Sequence, residues 1–186
     1  MALERTQSRV RMRARGFSLI ELMIAMLVLT FGLVAGAAVI STAIATNGRA
    51  RFDTTATALA ESVMEHILAI PSRAQGAAAL TSMTDCAGTT FTMNTVQGGA
   101  NLISTGVFAG NIDFTQPAVQ QYSMLYTICS AGNNMSYDVR WRIDPGPTPF
   151  TQLVTVSAKN VGQAGNSANG NRFALPVRLR TIRGTF

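Results

Sequence analysis

Glu21 stands alone at the head of a long uncharged stretch. From Leu22 to Ala45 the chain runs 24 residues without a charged side chain. As a helix, that run is long enough to cross the ~30 Å hydrocarbon core of a bilayer, which takes roughly 20 residues. A carboxylate held in lipid costs about 2.5–3.5 kcal/mol on insertion scales. A plain anchor would gain by losing it, so Glu21 calls for a cationic partner. Just upstream lie Arg15, Gly16 and Phe17, with Ser18-Leu19-Ile20 filling the gap to the carboxylate.

The net charge of +6 gathers at the same end. Residues 1–16 hold Arg5, Arg9, Arg11, Arg13 and Arg15 against Glu4, a net of +4 that leaves +2 for Phe17 onward. Total charge therefore gives little support to nucleic-acid binding. An ordinary secretory signal places its apolar stretch before the cleavage site. Here the small residue Gly16 precedes it, so a cut there leaves the helix on the mature chain. Five arginines before the helix, against Arg49 and Arg51 just after it, put the N-terminus in the cytoplasm and the rest outside. An uncleaved single-span anchor is the bland alternative, and it leaves Glu21 unexplained.

Gly16-Phe17-Ser18-Leu19-Ile20-Glu21, with its basic leader and apolar helix, resembles the N-terminus of type IV pilins and of the pseudopilins of type II secretion. The resemblance covers roughly residues 10–70. It implies that prepilin peptidase cuts between Gly16 and Phe17, that Phe17 is N-methylated, and that Glu21 meets the terminal amine of a neighbouring subunit during assembly. The implied partners are the inner membrane, the peptidase, and other pilin or minor pilin subunits. The chain would sit in the bacterial inner membrane with its N-terminus cytoplasmic, then enter an extracytoplasmic pilus or pseudopilus.

Many major pilins carry a proline midway along this helix, whereas none occurs here before Pro71. The alternation in Tyr137–Trp141 and Val177–Thr181 is similar to PilV-type minor pilins and to the I-subunit of type II secretion. The expected role is a minor pilin that joins or primes a filament. The alternatives are a secretion pseudopilin and a pilus-borne adhesin or DNA-uptake module.

Periodicity supplies the scaffold for these residues. Phe52, Ala56, Leu59, Val63, Ile67 and Ile70 recur at spacings of three and four, the mark of a helix laid on a core. Pro71 ends the pattern. A helix from Phe17 to Ile70 has 54 residues and would be about 81 Å long. Ser72–Ala87 reads as a connecting loop with at most a helical turn. Period-two patterns predict strands at Thr90–Thr95, Tyr122–Ile128, Met135–Ile143, Leu153–Ala158 and Val177–Ile182. Asp144-Pro145-Gly146-Pro147 and the Gly/Asn-rich Gly162–Asn171 separate the later ones. The expected fold is α+β, a long N-terminal helix packed by its second half on one antiparallel sheet. Its expected parts are a cleaved leader over 1–16, an apolar half-helix over 17–45, and an extracytoplasmic domain over 46–186.

The remaining reactive side chains offer less. Cys86 and Cys129 fall in the part placed outside the cytoplasm, where disulfides persist. A bridge would close a loop of 44 residues, for which chain entropy gives roughly 4 kcal/mol. The other reading is two free thiols, and neither their number nor their spacing fits zinc. His66, the only histidine, reads as a surface or half-buried helical residue. Glu61 and Glu65 form a like-charge i, i+4 pair on a solvated face. With no phosphate loop, nucleophile elbow or metal spacing in the sequence, we expect no catalysis, cofactor or metal. Arg140 and Arg142 share a strand face opposite Trp141. With Arg178 and Arg180 they would make a basic stripe if their strands were neighbours, open either to ordinary face charge or to docking of a subunit or DNA.

Overall fold

The computed structural model describes residues 17–73, 76–130, 133–163 and 175–184. The leader expected over 1–16 lies outside them, as does most of Gly162–Asn171. The chain divides into two compact units, Met1–Asn47 and Gly48–Phe186. Helix α1 (Leu19–Ala69) begins in the first and ends in the second.

In the first unit every described residue is exposed. The segment is helical because its backbone groups bond internally and its leucines, alanines and methionines favour that state. Its threonines give up their polarity locally. Thr30 Oγ1 donates to the Leu27 carbonyl at 2.8 Å, and Thr42 Oγ1 to that of Val39 at 2.9 Å. Such back-bonding hides hydroxyls that would otherwise face an apolar medium unsatisfied.

In the second unit α1 presents Ala56, Leu59, Ala60, Val63 and Ile67 to the core, all buried, with Phe52 and Ile70 half-buried at its ends. The stripe is the expected one plus Ala60, whose small side chain lets the helix lie close. The main sheet is an antiparallel meander of β4 (Ser123–Ser130), β5 (Asn133–Pro145), β6 (Thr151–Gln163) and β7 (Val177–Gly184). A two-residue strand, β3 (Gly98–Gly99), pairs with Ile143 and Arg142 beyond the end of β4. Alternation puts Tyr137, Val139, Trp141 and Ile143 of β5 and Val154, Val156 and Ala158 of β6 on the helix side, all buried. Full burial of each large apolar side chain stabilises by about 1.5–3 kcal/mol.

Two expectations need correction. Ser72–Ala87 is not only a connector: it holds a short 3-10 turn, Gly76–Ala79, and strand β1 (Leu80–Thr84). Nor is there one sheet, because β1 pairs only with β2 (Thr90–Asn94) in a separate hairpin. Polar contacts tie that hairpin to the main sheet. Trp141 Nε1 donates to the Asn94 carbonyl at 2.9 Å, and the Tyr126 hydroxyl to that of Thr84 at 3.0 Å. Both aromatic side chains thereby satisfy their polar ends.

The face of the sheet turned from α1 is covered as well. Between β3 and β4 the chain from Ala100 to Gln121 crosses it without forming a strand. Thr155 and Ser157, which alternation places on that side, are buried beneath it.

Candidate assembly site and its supports

Ser18 lies just before α1, and its carbonyl accepts from Leu22 N–H at 3.1 Å, making it the N-cap residue. Glu21 comes next, in the first turn. Here the unsatisfied N–H groups give the helix a positive end, where a carboxylate gains about 0.3–1 kcal/mol. A cut before Phe17 would add an ammonium to that positive end, and Glu21 is the side chain placed to offset both. Phe17 is 84% exposed. Glu21 is also exposed and makes no ion pair among the described residues. A terminal amine freed by such a cut, or a group on another molecule, could supply its cation. Gly16, the other side of the expected cut, lies outside the described residues.

Beyond Glu21, α1 is long and apolar enough to cross a membrane, by length and composition. Leu22, Met23, Ile24, Leu27, Leu29, Phe31 and Val34 are among the large side chains left exposed. An apolar surface of this extent requires either lipid or neighbouring helices. Gly32 and Gly36 open a small-xxx-small face on which a Cβ would meet nothing within 4 Å, so another helix can approach closely there.

Two devices support the globular unit. Cys86 and Cys129 are disulfide-bonded with Cα atoms 5.8 Å apart, fastening the β1–β2 hairpin to β4. Beside the bond, Cys86 N–H donates to the Thr127 carbonyl at 3.4 Å. The second device, Arg183, was not singled out in the sequence. It is buried on the helix side of β7 and donates to the carbonyls of Ile67 (3.1 Å), Ile70 (3.4 Å) and Thr95 (2.7 Å), and to Gln152 Oε1 (2.8 Å). It caps the C-terminal end of α1, where a cation is favoured. Burial lowers its pKa from the ordinary guanidinium value, yet an arginine remains charged at neutral pH. The available signal was parity, since Arg183 comes after Val177, Leu179 and Thr181 on the inward side of β7.

The basic stripe does not form as anticipated, because β6 lies between β5 and β7. Arg140 is almost fully buried. It pairs with Asp138 at 2.8 Å and donates to the carbonyls of Asp113 (3.1 Å) and Gln116 (2.7 Å). Its guanidinium lies over the Phe114 ring, 5.0 Å from the centroid. Arg142 pairs with Asp144 at 2.7 Å and donates to the Ala100 carbonyl at 3.1 Å. Arg180 donates to the Gly110 carbonyl and Arg178 to Asn111 Oδ1. All four hold the covering segment onto the sheet. His66 is half-buried, and Glu61 and Glu65 are exposed. Among the described residues no three His, Cys, Asp or Glu side chains come together as a metal site.

Residues 11–37 match the family model of the prokaryotic N-terminal methylation motif, the prepilin signal of type IV pilins and pseudopilins. The match takes in Gly16, Phe17 and Glu21 together with the first two thirds of the apolar stretch. Comparison with curated proteins and with solved structures finds no match to the chain.

Proposed function

We propose that this chain, which carries a type IV prepilin signal, is a minor pilin processed by prepilin peptidase and incorporated into a pilus or priming its assembly. The observation that carries the reading is Glu21, a carboxylate without an ion pair among the described residues. It lies in the first turn of an apolar, exposed half-helix, four residues after Phe17. In the bilayer, lipid covers that helix; in a filament, neighbouring helices replace lipid. Cutting between Gly16 and Phe17 frees an amine. Pairing it with Glu21 of a neighbour removes the penalty of an uncompensated charge, and a subunit in the wrong register would leave that charge unpaired. Processing thus creates the cation that the carboxylate requires. The role we assign is structural, without catalysis, metal or cofactor. DNA binding has less support, since the four arginines that suggested it bond the covering segment.

Mass spectrometry of membrane and sheared fractions tests the reading. The expected mature chain begins at N-methyl-Phe17. Recovery of only the full-length chain from cells with active prepilin peptidase would overturn it. Loss of surface pili and twitching on deletion, with secretion intact, separates a pilus subunit from a secretion pseudopilin.

A further inference from the structure

We infer that the outer edge of β7 takes up an extended segment of a different protein as an added strand, one in which acidic and apolar residues alternate. This interface lies wholly in the second unit and leaves the apolar half of α1 to lipid or to neighbouring helices. It goes beyond the filament reading and does not depend on it.

The first observation is an open ladder. β7 is the last strand of the main sheet, and only β6 pairs with it. Trp141 N–H donates to the Tyr122 carbonyl at 3.0 Å, and its own carbonyl accepts from Ala100 N–H at 2.9 Å, so Trp141 bonds away from β6. Antiparallel ladders alternate from one residue to the next. Arg140 and Arg142 therefore bond across to Ser157 and Thr155, and Val154, Val156 and Ala158 to Thr181, Leu179 and Val177. The backbone N–H and C=O groups of Arg178, Arg180 and Ile182 are left pointing out of the sheet, without a partner among the described residues. The Ser72 hydroxyl donates to the Gly184 carbonyl at 3.2 Å and marks the end of this free edge. At the opposite edge β4 is sealed, since the Thr127 carbonyl accepts from Cys86 N–H and its N–H donates to Asp85 Oδ2, both at 3.4 Å. β7 has no proline, and its register with β6 has no bulge, so two common deterrents to pairing are missing.

The second observation is the chemistry along that edge. Arg178 and Arg180 are exposed on the face turned from α1, and Ile182 is exposed in line with them. The groups these arginines bond, Asn111 Oδ1 and the Gly110 carbonyl, are neutral. Neither arginine has an ion-pair partner among the described residues, whereas Arg140 and Arg142 have Asp138 and Asp144. On the helix side Val177, Leu179 and Thr181 are only half-buried, and exposed Leu68 lines a shallow depression with Ile70, Pro71 and Arg183. Opposite charges directly across two strands attract, and like charges repel. A second β7 laid antiparallel in register would bring arginines against arginines, so a copy of this chain is the wrong occupant. The occupant that fits sets Asp or Glu beside Arg178 and Arg180, with apolar side chains at the alternate positions toward Leu179 and Leu68. Main-chain bonds to the open ladder give affinity, and the alternation gives specificity.

The test titrates the full chain, in detergent micelles, with two synthetic peptides of about ten residues. One alternates glutamate with valine, the other lysine with valine. The glutamate peptide should bind at least ~10-fold tighter than the lysine peptide. Its binding should slow amide exchange at Arg178, Arg180 and Ile182, while Val177, Leu179 and Thr181, already bonded to β6, stay as they were. Ile182→Pro removes one outward N–H and keeps both arginines and the β6 ladder, a place where an edge strand accepts proline. It should weaken the glutamate peptide ~10-fold with little change in thermal midpoint. Arg178→Glu with Arg180→Glu should reverse the preference, read as the ratio of the two peptides so that a loosened covering segment does not enter. No binding of either peptide, equal binding of both, protection elsewhere than at these three amides, or an unreversed ratio would each mean that the arginines only blunt the edge, and would overturn the inference. Native membranes carrying the Ile182→Cys chain are also treated with a bismaleimide, to which the bridged Cys86 and Cys129 are inert. We expect no self-dimer. A self-dimer would show that a second copy takes the edge, and would overturn the inference as well.

Discussion

Glu21 and Arg183 are both charges in places that penalise charge, and the difference between them lies in what they can reach. Arg183 finds three carbonyls and one amide oxygen inside its own unit. Arg183→Met keeps apolar bulk but leaves those acceptors without their donor, at about 1–3 kcal/mol for an unsatisfied buried group. We expect a loss of roughly 2–4 kcal/mol in denaturant melts, with amide exchange quickening first in the last turn of α1. Glu21 finds no cation among the described residues of its own chain. Glu21→Ala makes the helix more apolar, so insertion and cleavage should continue while recovery in sheared filaments falls. Glu21→Gln keeps the shape and removes the charge, and it should fail in the same way. Equal recovery of wild type and both variants would remove any assembly role from this carboxylate. A smaller case is Asp113, held below the usual carboxylate pKa first by the Thr115 hydroxyl and then by the Thr115 amide. A depressed pKa gives stability that is present above the unfolded aspartate value, near 3.9, and is lost as pH falls through the lower folded value. Thr115→Val should raise the Asp113 pKa in a carboxyl titration followed by NMR.

Elements were legible to the extent that their signal was local. The alternation from Met135 to Ile143 and from Val177 to Ile182 needed only the chain's own sequence, and both became strands of the meander. Strand β1 was not legible, because Leu80–Thr84 comes after a run of alanines and mixes small polar residues without a clear period. Strand β3 has no side-chain pattern at all. Both of its glycines take positive φ, and Gly99 also allows a close approach: at its φ of +129° a Cβ would sit 2.5 Å from the Trp141 carbonyl oxygen. Gly99→Ala therefore strains the backbone and pushes on β5 at once, so we expect a loss of at least ~2 kcal/mol and broadened Trp141 indole resonances. The covering segment was equally hidden, since it is held by arginines far from it in sequence. In the candidate site, Phe17 and Glu21 could be read from spacing alone, while the cap by Arg183 depended on which face β7 turns inward.

For the whole chain, the two units divide the labour so completely that one should survive without the other. No described residue before Gly48 is buried, and Ala56 is the first α1 residue to enter the core. Removing residues 1–45 thus deletes no core side chain among the described residues. It removes the segment whose bare leucines and isoleucines demand lipid or neighbours. The covering segment, the β1–β2 hairpin, the meander, the disulfide and the Arg183 cap all lie in what remains. We expect the truncated chain to be soluble, to melt in one cooperative transition, and to react with no thiol reagent until reduced. It should also run as a monomer at micromolar concentration, because the exposed apolar run over 22–45 is gone. Reducing the disulfide, or Cys86→Ser with Cys129→Ser, should lower its stability by up to about 4 kcal/mol. Calorimetry, gel filtration and thiol titration on one preparation decide the matter. A truncated chain that aggregates, or melts without cooperativity, would show that the apolar half of α1 contributes to the fold as well as to anchoring.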